Sequence, residues 1–136
     1  MIFTQTNLNI ADNSGANIAK CIKVLGLGSK KCGSIGDLVL ITIKRKKKKF
    51  KRKIQKKTIY HGLIIMIKQQ VIRKDGTVVK FNDNRLLLFS MNDLKSKFLG
   101  TRIYGSIMKE VKYYIYKNKT NKQRYFKIIS YCDSII

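Results

Sequence analysis

The chain has no proline in 136 residues, where ordinary usage near 5% would supply about 7. It also holds one histidine, three cysteines and only seven acidic residues. Each scarcity excludes a chemistry. Cys21, Cys32 and Cys132 are widely spaced with no Cys-x-x-Cys, and His61 is the lone histidine, so a finger-type zinc site lacks ligands and no metal is expected. The thiols read as ordinary reduced cysteines of a reducing compartment. Seven scattered acids offer no paired-carboxylate centre, and no nucleophile stands beside a base. His61, between Tyr60 and Gly62 in a strand-like run, reads as a packed or surface side chain. Neither an enzyme nor a cofactor or small-molecule substrate is expected. Gly28 and Gly33 have phosphate-loop spacing, but Ser34 stands where that motif requires lysine, so they read as turn glycines. Apolar runs such as LIIMI at Leu63–Ile67 are far too short to span a bilayer. The opening MIFTQTNLNI lacks the basic and apolar regions of a secretory signal.

What is abundant is positive charge. Thirty Lys and Arg against seven Asp and Glu give +23 and a pI near 10.2. The densest stretch, Lys44–Lys57, reads KRKKKKFKRKIQKK, eleven basic residues in fourteen. Without it 19 basic residues still face 7 acids, a balance of +12, so the excess is spread over the chain. A folded chain this cationic repels itself, and a polyanion relieves the repulsion. Nucleic acid is the leading partner, and nothing favours a membrane surface. The run itself has three readings: a solvated loop, a nuclear address, or an arm that contacts phosphates. Its place between two strong strand patterns favours RNA or DNA contact. The candidate residues are Lys44, Arg45, Lys46, Lys47, Lys48, Lys49, Lys51, Arg52, Lys53, Lys56 and Lys57, joined by Lys23, Arg73 and Lys74 elsewhere. Phe50 and Ile54, the run's two apolar residues, are expected to pin the loop to the core.

The dominant hydrophobic period is two. Thr6–Ile10 alternates, and Asp12-Asn13-Ser14-Gly15 then supplies turn chemistry. Ile18–Leu25 is strand-like but carries one lysine on each face, as in a barrel strand that changes neighbours along its length. Leu38–Lys44 is a β-branched run suited to a well-buried strand, and Ile59–Lys68 is a second long apolar run. Asp75-Gly76 marks a hairpin leading to Val78–Phe81, and Leu86–Phe89 is a last short strand. Beyond it, Asn92 or Asp93 could cap a helical turn through Phe98, and Ser106 a helix over Ile107–Lys112. Tyr125–Tyr131 closes the chain as an apolar segment. The sum is one domain, mainly β. A small barrel occupies about residues 1–90, and a short loop and helical appendage about 91–136, in which Lys117–Arg124 reads as a polar, basic excursion.

Several ordered blocks then go beyond composition. Thr6–Ala16 (TNLNIADNSGA), Cys21–Gly26 (CIKVLG), Gly36-Asp37, Gly62–Ile65, Asp75-Gly76, Phe81, Asn84, Leu87-Leu88, Gly100–Gly105 (GTRIYG) and Lys127–Ser130 appear in succession. Together they resemble the bacterial and organellar form of ribosomal large-subunit protein fourteen, over nearly the whole chain. The resemblance implies a five-stranded antiparallel β-barrel with a small C-terminal helical part. It implies binding to large-subunit rRNA at the subunit interface, beside large-subunit proteins three and nineteen, and a bridge to small-subunit rRNA. It also implies a surface at Thr101, Arg102 and Tyr104 for protein or subunit contact, including a ribosome-silencing factor. Lys74 and Ser106 stand where the family carries prolines, the basic stretch is longer and more basic than its family counterpart, and about 113–124 reads as an insertion relative to the family. A free-standing basic architectural nucleic-acid binder is the alternative. Lys, Ile and Asn are abundant and Ala scarce, a bias resembling an AT-rich coding genome. With a match that begins at Met1 and leaves no room for a presequence, this bias points to synthesis within a mitochondrion, with a plastid or bacterial cytoplasm as alternatives.

Overall fold

The computed structural model describes residues 1–26, 32–47, 54–90, 98–112 and 128–136. Five strands form a closed barrel: β1 (Asn7–Ile10), β2 (Ala16–Val24), β3 (Leu38–Lys46), β4 (Ile59–Met66) and β7 (Arg85–Phe89). Between β4 and β7 a two-stranded ribbon, β5 (Val71–Ile72) and β6 (Val78–Val79), turns through the Asp-Gly pair. Gly76 supplies the positive φ of 80° that the turn requires. Outside the barrel, β8 (Ile103–Ile107) and β9 (Cys132–Ile135) form a parallel pair.

The five-stranded barrel is thus the architecture expected. Four of its seams are antiparallel. The fifth, β1 with β7, is parallel, with Asn9 opposite Arg85 and Ile10 opposite Leu86. β3 shows the simplest burial logic: Val39, Ile41 and Ile43 point inward at strict alternation. β2 instead buries Ala16, Ala19, Cys21 and Val24. Both three-residue steps in that set coincide with register shifts, between Ala16 and Ala19 and between Cys21 and Lys23. Bulges therefore reverse the strand's inward phase, which is why neither face looked polar in the sequence. Burial also pushes the Cys21 thiol pKa up.

The barrel narrows where β3, β4 and β7 meet. A Cβ on Gly62 would sit 3.2 Å from Val39 Cγ2 and 3.3 Å from the Leu86 methyls. Leu86 therefore shares the interior with Gly62, and by period two Leu88 does as well. Leu87 and Phe89 face outward yet are also buried. The C-terminal region packs on this side of β7: Leu99 N–H donates to Leu88 O at 3.1 Å, and the Phe98 ring lies 5.6 Å from Phe89 and 6.0 Å from Tyr131. That second layer explains the unbroken apolar run Leu86–Phe89.

Two expectations for the C-terminal region change. Ser106 caps no helix; it lies inside β8, and its hydroxyl meets that of Ser134 on β9 at 2.6 Å. Helical geometry begins only at residue 110 and is described as far as 112. The closing segment forms a helical turn at 128–130 and then the strand β9, which pairs with β8 from 28 positions away. The expected turn near Asn92 and the 113–124 insertion lie outside the described residues.

Candidate nucleic-acid interface

Strand directions decide which candidates meet. β1, β3 and β7 end on one rim of the barrel, where β2 and β4 begin. That rim therefore carries the 11–15 turn, the 47–58 connection and the segment that follows β7. The opposite rim carries the β5–β6 ribbon and the end of β2.

The 11–15 turn organises its rim through side chains. Asp12 is buried, and its carboxylate accepts N–H bonds from Ser14 at 2.9 Å and from Leu88 at 2.8 Å, tying the turn to β7. Burial pushes the Asp12 carboxyl pKa up, and the hydrogen bonds from Ser14 and Leu88 pull it back only in part. Asn13 grips residues far along the chain. Its Oδ1 accepts from Thr101 N at 2.7 Å and Arg102 N at 3.2 Å, and its Nδ2 donates to Thr101 Oγ1 at 2.8 Å. Asn13 N–H in turn donates to Arg102 O at 3.2 Å. Gly100 permits this approach, because a Cβ there would lie 2.8 Å from both Asp12 Cβ and Phe98 Cζ. Gly15, at φ 100°, turns its carbonyl to accept Lys47 N–H at 2.8 Å.

The root of the basic run is therefore fixed beside the Thr101–Tyr104 segment. Ile54 is fully buried and pins the returning side of the loop, as expected for it. Lys46 Nζ donates across the base to Ile54 O at 3.2 Å, and Tyr60 OH accepts from Gln55 N–H at 3.1 Å. Lys44, Arg45, Lys47, Lys56 and Lys57 are exposed. Lys48, Lys49, Phe50, Lys51, Arg52 and Lys53 lie outside the described residues. Three ion pairs occur among the described residues, and none uses a residue of the 44–57 stretch. Apart from Lys46, its described charges are left to solvent or to a polyanion. Thr101 and Arg102 are exposed at the same rim. The Tyr104 ring has Lys47 Nζ 6.0 Å and Arg102 Cζ 5.8 Å from its centroid.

Lys23, Arg73 and Lys74 do not join this cluster. Lys23 and Lys74 are exposed toward the opposite rim. Arg73 serves the fold: Nε and Nη2 meet Glu110 Oε1 and Oε2 at 2.5 and 3.2 Å, and Nη2 also donates to Ile136 O at 2.9 Å. Burial pushes the Glu110 carboxyl up, but the Arg73 hydrogen bonds and charge outweigh it and hold the pKa low. Asn13 was not among the expected site residues. Asp-Asn-Ser-Gly reads as local turn chemistry, and nothing local announces bonds to residues 88 and 89 positions away. Among the described residues, no group of three or more His, Cys, Asp or Glu could hold a metal. No helix among them is long and apolar enough to cross a membrane.

The family model for ribosomal protein L14p/L23e matches residues 1–136. The chain belongs to this family. It is also 38% identical to the large ribosomal subunit protein uL14 of Carsonella ruddii (strain PV), over 100% of both chains. In this L14p/L23e chain two of the family-like blocks, TNLNIADNSGA and GTRIYG, are the segments that the Asn13 clamp joins. The L14p/L23e barrel thus brings distant blocks of sequence to one rim, with the basic run rooted between them.

Proposed function

We propose that this structural, non-enzymatic constituent of the large ribosomal subunit binds large-subunit rRNA through the rim of Lys44–Lys57, Arg102 and Tyr104. The observation that carries the reading is the set of exposed cations at that rim, Lys44, Arg45, Lys47, Lys56 and Lys57, none of which is in an ion pair among the described residues. Each Lys or Arg that neutralises a phosphate releases counterions and lowers the salt tolerance of binding. Lys23 and Lys74 extend the basic surface to the other rim as secondary phosphate contacts. The Thr101–Tyr104 segment, held out by Asn13, is proposed to face the other subunit, where it contributes to a bridge with small-subunit rRNA. Large-subunit proteins three and nineteen are the proposed neighbours, and a silencing factor would dock on Thr101 and Arg102. For location we propose an organellar ribosome, a mitochondrial one first. The AT-rich coding bias supports this, and a bacterial cytoplasm or plastid is the competing address.

Sedimentation of native extract tests the reading. The protein is expected to travel with large subunits after a high-salt wash. Migration at the top of the gradient, or with genomic DNA, would favour a free-standing basic nucleic-acid binder and overturn it. Microscopy of a tagged copy, scored against a mitochondrial marker, checks the location.

A further inference from the structure

We infer that Tyr104 is a stacking face for one unpaired RNA base, with Lys47 and Arg102 placed for the phosphates on either side of it. The inference rests on the rRNA-binding reading above and names what that rim recognises. Within β8, Ile103 points into the core and Tyr104 points out, 44% exposed despite its large apolar ring. The backbone beneath the ring is held in place. Tyr104 N–H donates to Ala11 O at 2.6 Å, and Ile103 bridges Asp12. Arg102 N–H is held by Asn13, and Lys47 N–H by Gly15. One turn, residues 11–15, therefore fixes the backbone of all three residues. A ligand then has side chains to order but little backbone, which lowers the cost of binding.

The chemistry narrows the ligand. An aromatic face offers stacking to any base, and flanking cations meet the backbone that carries it. Lys47 Nζ and Arg102 Cζ lie over the ring, 6.0 and 5.8 Å from its centroid, and come from different segments, so a base that stacks there displaces one of these exposed side chains toward the phosphates. Arg102 has one carboxylate near it, Asp133 at 3.8 Å, with both side chains more than half exposed, so solvent and salt screen that pair. A base-paired duplex presents no open base face to such a ring, whereas a bulged or looped nucleotide does. A protein partner would need an acidic surface to sit on the same cations.

The test uses the full chain and transcribed large-subunit rRNA in filter binding across a salt series. Tyr104→Phe is expected to bind as the wild type does. Tyr104→Leu, at an exposed position that leaves the thermal midpoint unchanged, is expected to lose at least about fivefold in affinity with the same salt slope. Lys47→Gln and Arg102→Gln should each lower the salt slope by about 0.7–0.9. In a short RNA hairpin with one bulged 2-aminopurine, the wild type should quench the fluorescence and Tyr104→Leu should not. Equal rRNA affinity and equal quenching for Phe and Leu variants would overturn the stacking role and leave Tyr104 to a protein partner. Failure of the wild type to bind rRNA at all would overturn the broader reading with it.

Discussion

Asn13→Ala should loosen the rim while leaving the barrel standing. The substitution removes three hydrogen bonds, to Thr101 N, Arg102 N and Thr101 Oγ1. Each contributes about 0.5–1.5 kcal/mol net in a folded protein. Thr101 and Arg102 are exposed, so their freed amides turn to water, and the expected total loss is about 1–2 kcal/mol rather than the full sum. For a chain of this size that lowers the thermal midpoint by roughly 4 °C per kcal/mol. Asn13→Asp separates the contacts. Its carboxylate still accepts both amides, and the Thr101 hydroxyl can donate to it, so stability should stay close to wild type. Urea unfolding gives the stabilities, and hydrogen exchange at the Thr101 and Arg102 amides gives the local effect. Exchange should rise sharply in the Ala variant and little in the Asp variant. If the Ala variant unfolded at the same urea concentration with unchanged exchange at both amides, the clamp would carry no weight and the argument would fail.

Three further outcomes follow from other parts of the molecule. Ile54→Ala empties a fully buried site at the loop base and should cost about 2–5 kcal/mol in urea unfolding. Arg73→Gln should weaken the hairpin's tie to Glu110 yet leave the salt slope of rRNA binding unchanged, since Nε and Nη2 serve internal partners; a slope reduced as much as in Lys47→Gln would return Arg73 to the interface. Asp12 has a folded-state pKa above its unfolded value. Its contribution is therefore fully present below the ordinary aspartate value of 3.8 and is lost as pH rises through the folded-state pKa. Unfolding of wild type and Asp12→Asn over a pH series should show wild type gaining on the variant as pH falls through that window, and a flat difference would contradict the assignment.

The barrel was legible because its cues are local. Val39, Ile41 and Ile43 alternate, Asp75-Gly76 turns a ribbon, and β-branched runs mark β3 and β4. The phase of β2 was not, because bulges shift its pairing with β3 and no residue type announces them. The β8–β9 pair was missed for a different reason. Strict alternation is broken by Gly105 at φ 90°, and the pairing joins segments far apart in the chain, so Ser106 resembled a helix cap. At the site, the charge run was evident, and the burial of Ile54 followed from its being apolar among lysines. Which cations are committed internally was not evident: Arg73 and Lys47 look alike in sequence and differ only in the Glu110 that tertiary packing delivers to Arg73. The Asn13 clamp depends on the same kind of distant delivery.

The parallel seam between β1 and β7 has a consequence for how the chain is made. β7 pairs with β1 on one side and β4 on the other, so a single five-residue strand seals two seams. Until Arg85–Phe89 has been synthesised, β1 to β4 can form only an open four-stranded sheet with both outer edges bare. Such edges invite pairing with other chains, and closing them across so long a stretch carries a loop-closure cost that slows folding. The nascent protein therefore spends its most vulnerable interval waiting for one strand, and that strand's arrival turns a sticky ribbon into a closed cylinder in one step.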